Sequence, residues 1–242
     1  MSVIVIIPAA GLGTRMAAAG ARVIPAASKQ FTELDGVPIL IHTLRKFAGA
    51  PQVREIYLAL RQPEAAVFEG RLAQERLGKP VRVVEGGEHR QESVANALAA
   101  VQAKADDIIL VHDAVRPFVD EEIIFNVIDA AARHGAAIAG VPAVDTIKQV
   151  ERTPEGAVVR ATIPRAQIVM AQTPQGFRYE VLKQAFKEAA ADGFTGTDEA
   201  SLVERSGHDV VVVMGSPRNI KITTPADLEL AEFFIEQEKT KA

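Results

Sequence analysis

The chain has 242 residues, 48% of them hydrophobic and 24% charged, with a formal net charge of −4. That length suffices for one large α/β domain or two small ones with a sizeable core. The mildly acidic balance gives no general pull toward nucleic acid or an anionic membrane, so an anionic ligand must be held by locally placed Lys and Arg. There is no cysteine, which excludes disulfides, thiolate metal sites and a cysteine nucleophile.

Val3–Ile7 is an apolar run of strand length. It is too short for a signal-peptide core, and no stretch approaches the roughly 20 apolar residues of a membrane span, so a cytoplasmic protein is the simplest reading. A Gly-rich turn follows. Ile39–Phe47 reads as helix, Glu55–Leu60 as strand, Glu64–Leu77 as helix and Val81–Val84 as a short strand ending in Gly86-Gly87. Gln91–Val101 is an Ala-rich helix, Ile108–Val111 a buried strand, Glu121–Arg133 a helix and Ala136–Val141 a strand. This β-α alternation predicts an α/β fold: a mostly parallel, doubly wound, Rossmann-like sheet covered on both faces.

Between Asp145 and Arg165 the pattern changes. Thr146–Glu151 and Ala157–Ile163 flank Thr153-Pro154-Glu155-Gly156, which is turn chemistry. Their mixture of charged and β-branched residues is too polar for a central strand pair, and an isolated hairpin is marginal in water. Residues 143–166 are therefore read as a protruding β-hairpin arm that packs on something else, a second subunit or the body of its own domain. Ile168–Ala171 resumes as strand, Tyr179–Ala190 and Asp198–Arg205 as helices, Val210–Met214 and Asn219–Ile222 as short strands, and Pro225 opens a final helix through Glu236. No internal repeat or linker divides the 242 residues, which read as a single domain carrying the arm.

The strongest chemical signal is Pro8-Ala9-Ala10-Gly11-Leu12-Gly13-Thr14-Arg15-Met16, directly after the first strand. Small residues let the backbone approach a ligand and aim N–H groups at phosphate oxygens, and Arg15 adds a planar, permanently charged fork. Met16 at the third glycine position argues against a dinucleotide fingerprint, and no Gly-Lys-Ser/Thr follows to make a Walker loop. Lys29, in Lys29-Gln30-Phe31, is placed to fold back over a triphosphate as a compact charge. Gly86-Gly87-Glu88, with Ser93 in the next helix, offers a flat gap and a hydroxyl to a base. Asp113, in His112-Asp113-Ala114-Val115-Arg116-Pro117, is a carboxylate suited to Mg²⁺, and Arg116 lies beside it; His112 is assigned no role. Each segment follows the C-terminal end of an expected parallel strand, the rim where open α/β sheets bind ligands.

The glycine loop resembles that of nucleotide-sugar pyrophosphorylases and cytidylyltransferases. The ordered series of His-Asp-Ala-x-Arg-Pro, Asp145-Thr146, Thr173-Pro174-Gln175, Thr197-Asp198-Glu199-Ala200 and Asn219-Ile220-Lys221-x-Thr223 resembles the methylerythritol phosphate cytidylyltransferase family over nearly the whole chain. Ser28 stands where that family has a proline before Lys29. The resemblance implies CTP bound by Ala9, Ala10, Gly11, Gly13, Gly87, Glu88 and Ser93, and Mg²⁺ or another divalent ion on Asp113. It implies that Arg15 and Lys29 stabilise the transition state, and that Lys221 and the Arg165 of a neighbouring subunit orient the acceptor phosphate. It further implies acceptor contacts from Asp113, Arg116, Thr146, Thr173 and Thr197, and a homodimer built through the arm, with methylerythritol phosphate as acceptor. The alternatives are a ribitol 5-phosphate cytidylyltransferase, a non-catalytic nucleotide-binding regulator and, less consistent with Met16, a redox enzyme.

Overall fold

The computed structural model describes residues 1–11 and 29–241. Gly13 and Arg15 of the glycine loop lie outside the described residues.

The strands that build the main sheet are β1 (Val3–Pro8), β4 (Val53–Leu60), β5 (Val81–Glu85), β6 (Ile108–Val111), β7 (Ala136–Pro142), β10 (Val169–Arg178) and β11 (Val211–Met214). Two short strands, β2 (Glu33–Leu34) and β3 (Val37–Pro38), form a small hairpin, and β8 (Ile147–Thr153) pairs with β9 (Gly156–Ile163) in another. The main sheet is seven-stranded in the order β11-β7-β10-β6-β1-β4-β5. Its strands run parallel except β10, which is antiparallel to both β6 and β7.

Helices α1 (Ile39–Gly49), α2 (Gln62–Leu72), α3 (Arg90–Ala100), α4 (Glu121–His134), α5 (Tyr179–Ala191), α6 (Glu199–Arg205) and α7 (Pro225–Lys241) complete the chain. Alternate residues of β1 point to opposite faces, as the period of a strand demands. Val3, Val5 and Ile7 pack with Leu44, Phe47, Ile123 and Val127 of α1 and α4, whereas Ile4 and Ile6 pack with Val94, Leu182 and Leu202 of α3, α5 and α6. The sheet is thus buried on both sides, which is why its central strands read as continuous apolar runs. A smaller cluster of Leu34, Ile39, Val115, Phe118, Ile222 and Ala231 seats α7 against the β2–β3 hairpin. Among the described residues, no helix is long and apolar enough to cross a membrane.

Several expectations need correction. The strand expected at Ile168–Ala171 is β10, which continues to Arg178 and runs antiparallel. Asn219–Ile222 forms no strand; hydrogen bonds from Asn219 N–H to Ser216 O (3.0 Å) and from Ile222 N–H to Val115 O (3.0 Å) fold it as a loop over β6's end. Helix α2 ends at Leu72 rather than Leu77, because its last turn tightens: Gln74 N–H bonds Arg71 O (3.1 Å) and Glu75 N–H bonds Leu72 O (3.0 Å). The β2–β3 hairpin was not expected, since two-residue strands carry no readable period. Its Asp35-Gly36 turn, with φ of 55° and 72°, is the Asp-Gly pair that such tight hairpins require.

The hairpin arm is as expected in position. β8 and β9 pair only with each other, and their side chains are mostly exposed.

Candidate active site

A cleft opens at the C-terminal ends of β1, β5 and β6. Pro8, Ala9, Ala10 and Gly11 form one wall, Gly87, Glu88, Arg90 and Ser93 a second, and Asp113, Ala114, Lys29 and Lys221 close it. The walls touch directly. Ala9 N–H donates to Ala59 O (2.8 Å) and Gly86 N–H to Leu60 O (2.7 Å), both at the tip of β4. A Cβ on Gly86 would stand 2.4 Å from the Ala10 Cβ, so glycine is needed there for the two loops to meet. Lys29 lies in a single helical turn, Lys29–Phe31, whose buried Gln30 amide donates to Ala9 O and ties the lysine to the glycine loop.

Ser93 is buried; its hydroxyl accepts from Gly87 N–H (3.0 Å) and donates to His89 O (3.0 Å). It therefore shapes the turn below the gap while lining it. Glu92 closes the same turn by accepting Glu88 N–H (2.8 Å).

Asp113 is the electrostatic centre. It is buried, yet Lys221 Nζ lies 2.9 Å from Oδ2, Arg116 Nε 3.3 Å from Oδ2 and Arg90 Nε 3.3 Å from Oδ1. Burial alone would raise its carboxyl, but Arg90, Lys221 and Arg116 outweigh it and hold the group well below the usual carboxylate range. Arg90 in turn reaches both oxygens of Glu199, at 2.6 and 2.7 Å. Burial pushes the Glu199 carboxyl up and the Arg90 guanidinium opposes it. Three cations against two carboxylates leave the cleft positive, as a polyphosphate needs.

A directed chain of hydrogen bonds holds this turn. His112 Nε2 donates to Arg116 O (3.0 Å), which leaves Nδ1 to accept from the Thr173 hydroxyl (3.1 Å), and that hydroxyl accepts Asp113 N–H (3.0 Å). Thr173 was expected to contact the acceptor substrate. It is buried inside β10 with its hydroxyl already engaged by His112 and Asp113, so it fixes the carboxylate from behind. Arg116 also donates to Asn219 O (2.7 Å), which aligns the loop carrying Lys221.

Desolvation lowers the His112 imidazole to about 4, against an ordinary 6.5. Between those values the unfolded chain takes up a proton that the folded chain refuses, so stability falls as pH drops from 6.5 toward 4. The loss from pH 7 to pH 5 should reach about 2 kcal/mol, partly offset by Glu199, whose raised carboxyl acts in the opposite sense. Urea midpoints at the two pH values, compared with those of the non-titrating His112→Gln, check this: the variant should show the smaller drop.

Of the remaining expected residues, Thr146 and Arg165 lie at the feet of the arm, exposed, with Arg165 donating to Val144 O (2.7 Å). Thr197 is exposed two residues before α6, whose cap is Asp198 in a reciprocal capping box with Ser201. None of these three lines the cleft. The residues that sequence reading missed are Arg90, Glu199, Gln30 and the buried glutamines of β10. Gln172 accepts from Ser216 N–H (3.2 Å) and donates to Ser216 O (2.8 Å), and Gln175 bonds Asp198 and Ala200. Gln30, Gln175 and Glu199 lie inside motifs named above without a role of their own, and the signal of the β10 glutamines is a polar residue inside or beside an apolar run.

Comparison with known proteins bears on this geometry. The family model for 2-C-methyl-D-erythritol 4-phosphate cytidylyltransferase matches residues 3–237. The protein of that name from Acidobacterium capsulatum is 58% identical over 241 residues, covering 100% of both chains. The one from Solibacter usitatus is 53% identical over 100% of this chain and 99% of its own. Among solved structures, the 2-C-methyl-D-erythritol 4-phosphate cytidylyltransferase of Francisella tularensis superposes with a TM-score of 0.79 at 36% identity, over 96% of this chain and 99% of that one.

Proposed function

Because this chain belongs to the 2-C-methyl-D-erythritol 4-phosphate cytidylyltransferase family, and so transfers CMP from CTP to that acceptor, we propose that the transfer takes place in the cleft around Asp113. The products are 4-diphosphocytidyl-2-C-methyl-D-erythritol and pyrophosphate, a step of the non-mevalonate isoprenoid pathway. The observation that carries the assignment of the site is the meeting of Arg90, Arg116 and Lys221 around one buried carboxylate, in a cleft that Lys29 and the bare backbone of Ala9–Gly11 also line.

An oxygen of the acceptor's 4-phosphate attacks the α-phosphorus of CTP in line. The new P–O bond forms as the bond to the β-phosphate oxygen breaks, and pyrophosphate carries away the released charge. Nothing needs to be held covalently by the protein, so rate comes from positioning and charge neutralisation. Amides of Ala9, Ala10 and Gly11 face the phosphates, while Gly87, Glu88 and Ser93 frame the cytosine; the family resemblance gives Gly13 a part in the same phosphate cradle. Arg15 and Lys29 meet the charge that builds on the α-phosphate. Lys221 and Arg116 lie where the attacking phosphate approaches.

Magnesium is tested by the donor set. Among the described residues, no three His, Asp or Glu side chains gather into a metal-holding group. Asp113 Oδ1 receives one long contact, from Arg90 at 3.3 Å, and keeps a lone pair. That fits an ion delivered on the triphosphate, since Mg²⁺ commonly takes one or two carboxylates together with substrate phosphates and water. Once bound, the ion would neutralise phosphate charge, and Asp113 would hold it.

The acceptor end is completed by a second copy of the chain. Val150, Val158 and Val159 on the arm, and Val144, Val169 and Met170 at its base, are exposed apolar residues in one region of the fold. An arm crossing onto a partner buries them and carries Thr146 and Arg165 to the other cleft, with Thr197 beside the acceptor's hydroxyls. On this reading the enzyme acts as a homodimer. Pyrophosphate release from CTP and Mg²⁺ with 2-C-methyl-D-erythritol 4-phosphate, set against release with ribitol 5-phosphate, tests the reading. Faster turnover of ribitol 5-phosphate would overturn the acceptor assignment.

A further inference from the structure

Gln175 lies in the middle of β10, only 1% exposed, paired across the ladder with Val111, two residues before Asp113. Its amide makes one hydrogen bond at each end, which fixes a single orientation. Oε1 accepts Ala200 N–H (3.0 Å), so Nε2 faces the Asp198 carboxylate and donates to Oδ2 (2.7 Å). Those two partners bracket Glu199. The clamp therefore sets the height of the first turn of α6, and with it the position of a carboxylate that is itself 1% exposed. Glu199 holds Arg90 through both oxygens, and Arg90 Nε reaches Asp113 Oδ1 at 3.3 Å. Both oxygens of Glu199 are engaged by Arg90, so a shift of the α6 start is passed to Arg90 and then to Asp113. Gln175 does not line the cleft.

We propose that Gln175 is a positioning residue for cytidylyl transfer, holding Asp113 in place through Asp198, Glu199 and Arg90. The proposal rests on the reading that Asp113 serves the transfer. Hydrogen-bonded networks of this kind orient the groups in front of them, and breaking one link costs on the order of 10–100-fold in activity or metal affinity.

The test compares Gln175→Leu, Gln175→Glu and Asp113→Asn with the unaltered enzyme, each measured for kcat and for the KM of CTP from pH 6 to pH 8.5. The leucine variant removes both hydrogen bonds and should lower kcat about tenfold or more at every pH. The glutamate variant keeps the oxygen for Ala200 N–H but sets a second anion against Asp198, with Glu199 next to Asp198 in the chain. It should be impaired at pH 8.5 and recover toward the unaltered rate at pH 6, where a proton restores the donor to Asp198. A merely structural role would lower both variants without that pH-dependent recovery. If the leucine variant does not fold, the pH profile of the glutamate variant decides alone. A flat ratio for Gln175→Glu across the range, or kcat for both variants within twofold of the unaltered enzyme while Asp113→Asn is impaired, overturns the proposal and leaves the site assignment standing. Full activity in Asp113→Asn overturns both.

Discussion

Replacing Lys29 by alanine should lower kcat by roughly 10²–10³-fold, the usual cost of losing one preorganised group aimed at transition-state charge. The backbone that carries the lysine is fixed independently of its charge. Gln30 donates to Ala9 O, and Thr32 N–H closes the turn on Lys29 O at 3.1 Å. Truncation then removes the ammonium and leaves the turn, so a circular dichroism melt should change little while turnover collapses. The loss should fall on kcat more than on the KM for CTP, because charge on the α-phosphate peaks at the transition state. Arg15→Ala should behave alike, since the family resemblance gives Arg15 the same task. If both act on one developing charge, the double variant costs less than the product of the two single losses. A folded Lys29→Ala enzyme with near-normal kcat would remove the lysine from the chemistry.

Lys29 also illustrates what a sequence can reveal. Its Lys-Gln-Phe motif and the earlier Ala-Ala-Gly run are each short runs of adjacent residues, and the place of the Ala-Ala-Gly run at the end of β1 follows from a strand of apolar residues. The sheet was legible for the same reason: the central parallel strands β1, β4 and β6 are buried on both faces, and the strands of the first half alternate with helices. Strand direction was less so. Periodicity carries no sign, and β10 breaks its own apolar run with Gln172, Thr173 and Gln175, which read as the end of a strand. They are interior to it because loops far along the chain satisfy them: Ser216 for Gln172, His112 for Thr173, Ala200 for Gln175. Arg90 and Glu199 were hidden in the same way. Each is an ordinary surface residue type, and only the fold brings together two side chains 109 positions apart. Asn219–Ile222 looked like a strand from its alternation, but Ile222 turns into the cluster beneath α7 while Lys221 turns to Asp113. The segments that line the cleft were readable as motifs. The residues that hold those segments were not, because their partners are distant.

Asp113→Asn keeps the shape of the side chain and removes its charge, and the expected loss in kcat is again roughly 10²–10³-fold, with a distinct cause. In the unaltered site one carboxylate neutralises parts of three cations. Without it, Arg90, Arg116 and Lys221 face one another across a buried amide, and breaking such a buried ion network costs about 3–5 kcal/mol where no partner remains. Glu199 still holds Arg90, and Asn219 O still accepts from Arg116, so the cost should be smaller and the variant folded, with a lowered melting temperature. Two accounts of the carboxylate then part company. If Asp113 only balances charge, the more positive cleft binds CTP at least as tightly, and the magnesium concentration giving half-maximal rate is unchanged. If Asp113 also holds the ion, that half-maximal concentration rises by about 10–100-fold, while metal-free CTP binds no worse. We expect the second result, because Oδ1 receives a single long contact, from Arg90 at 3.3 Å, and keeps a lone pair to spare. An unchanged magnesium dependence in a folded, impaired Asp113→Asn enzyme would reduce Asp113 to an anchor for its three cations.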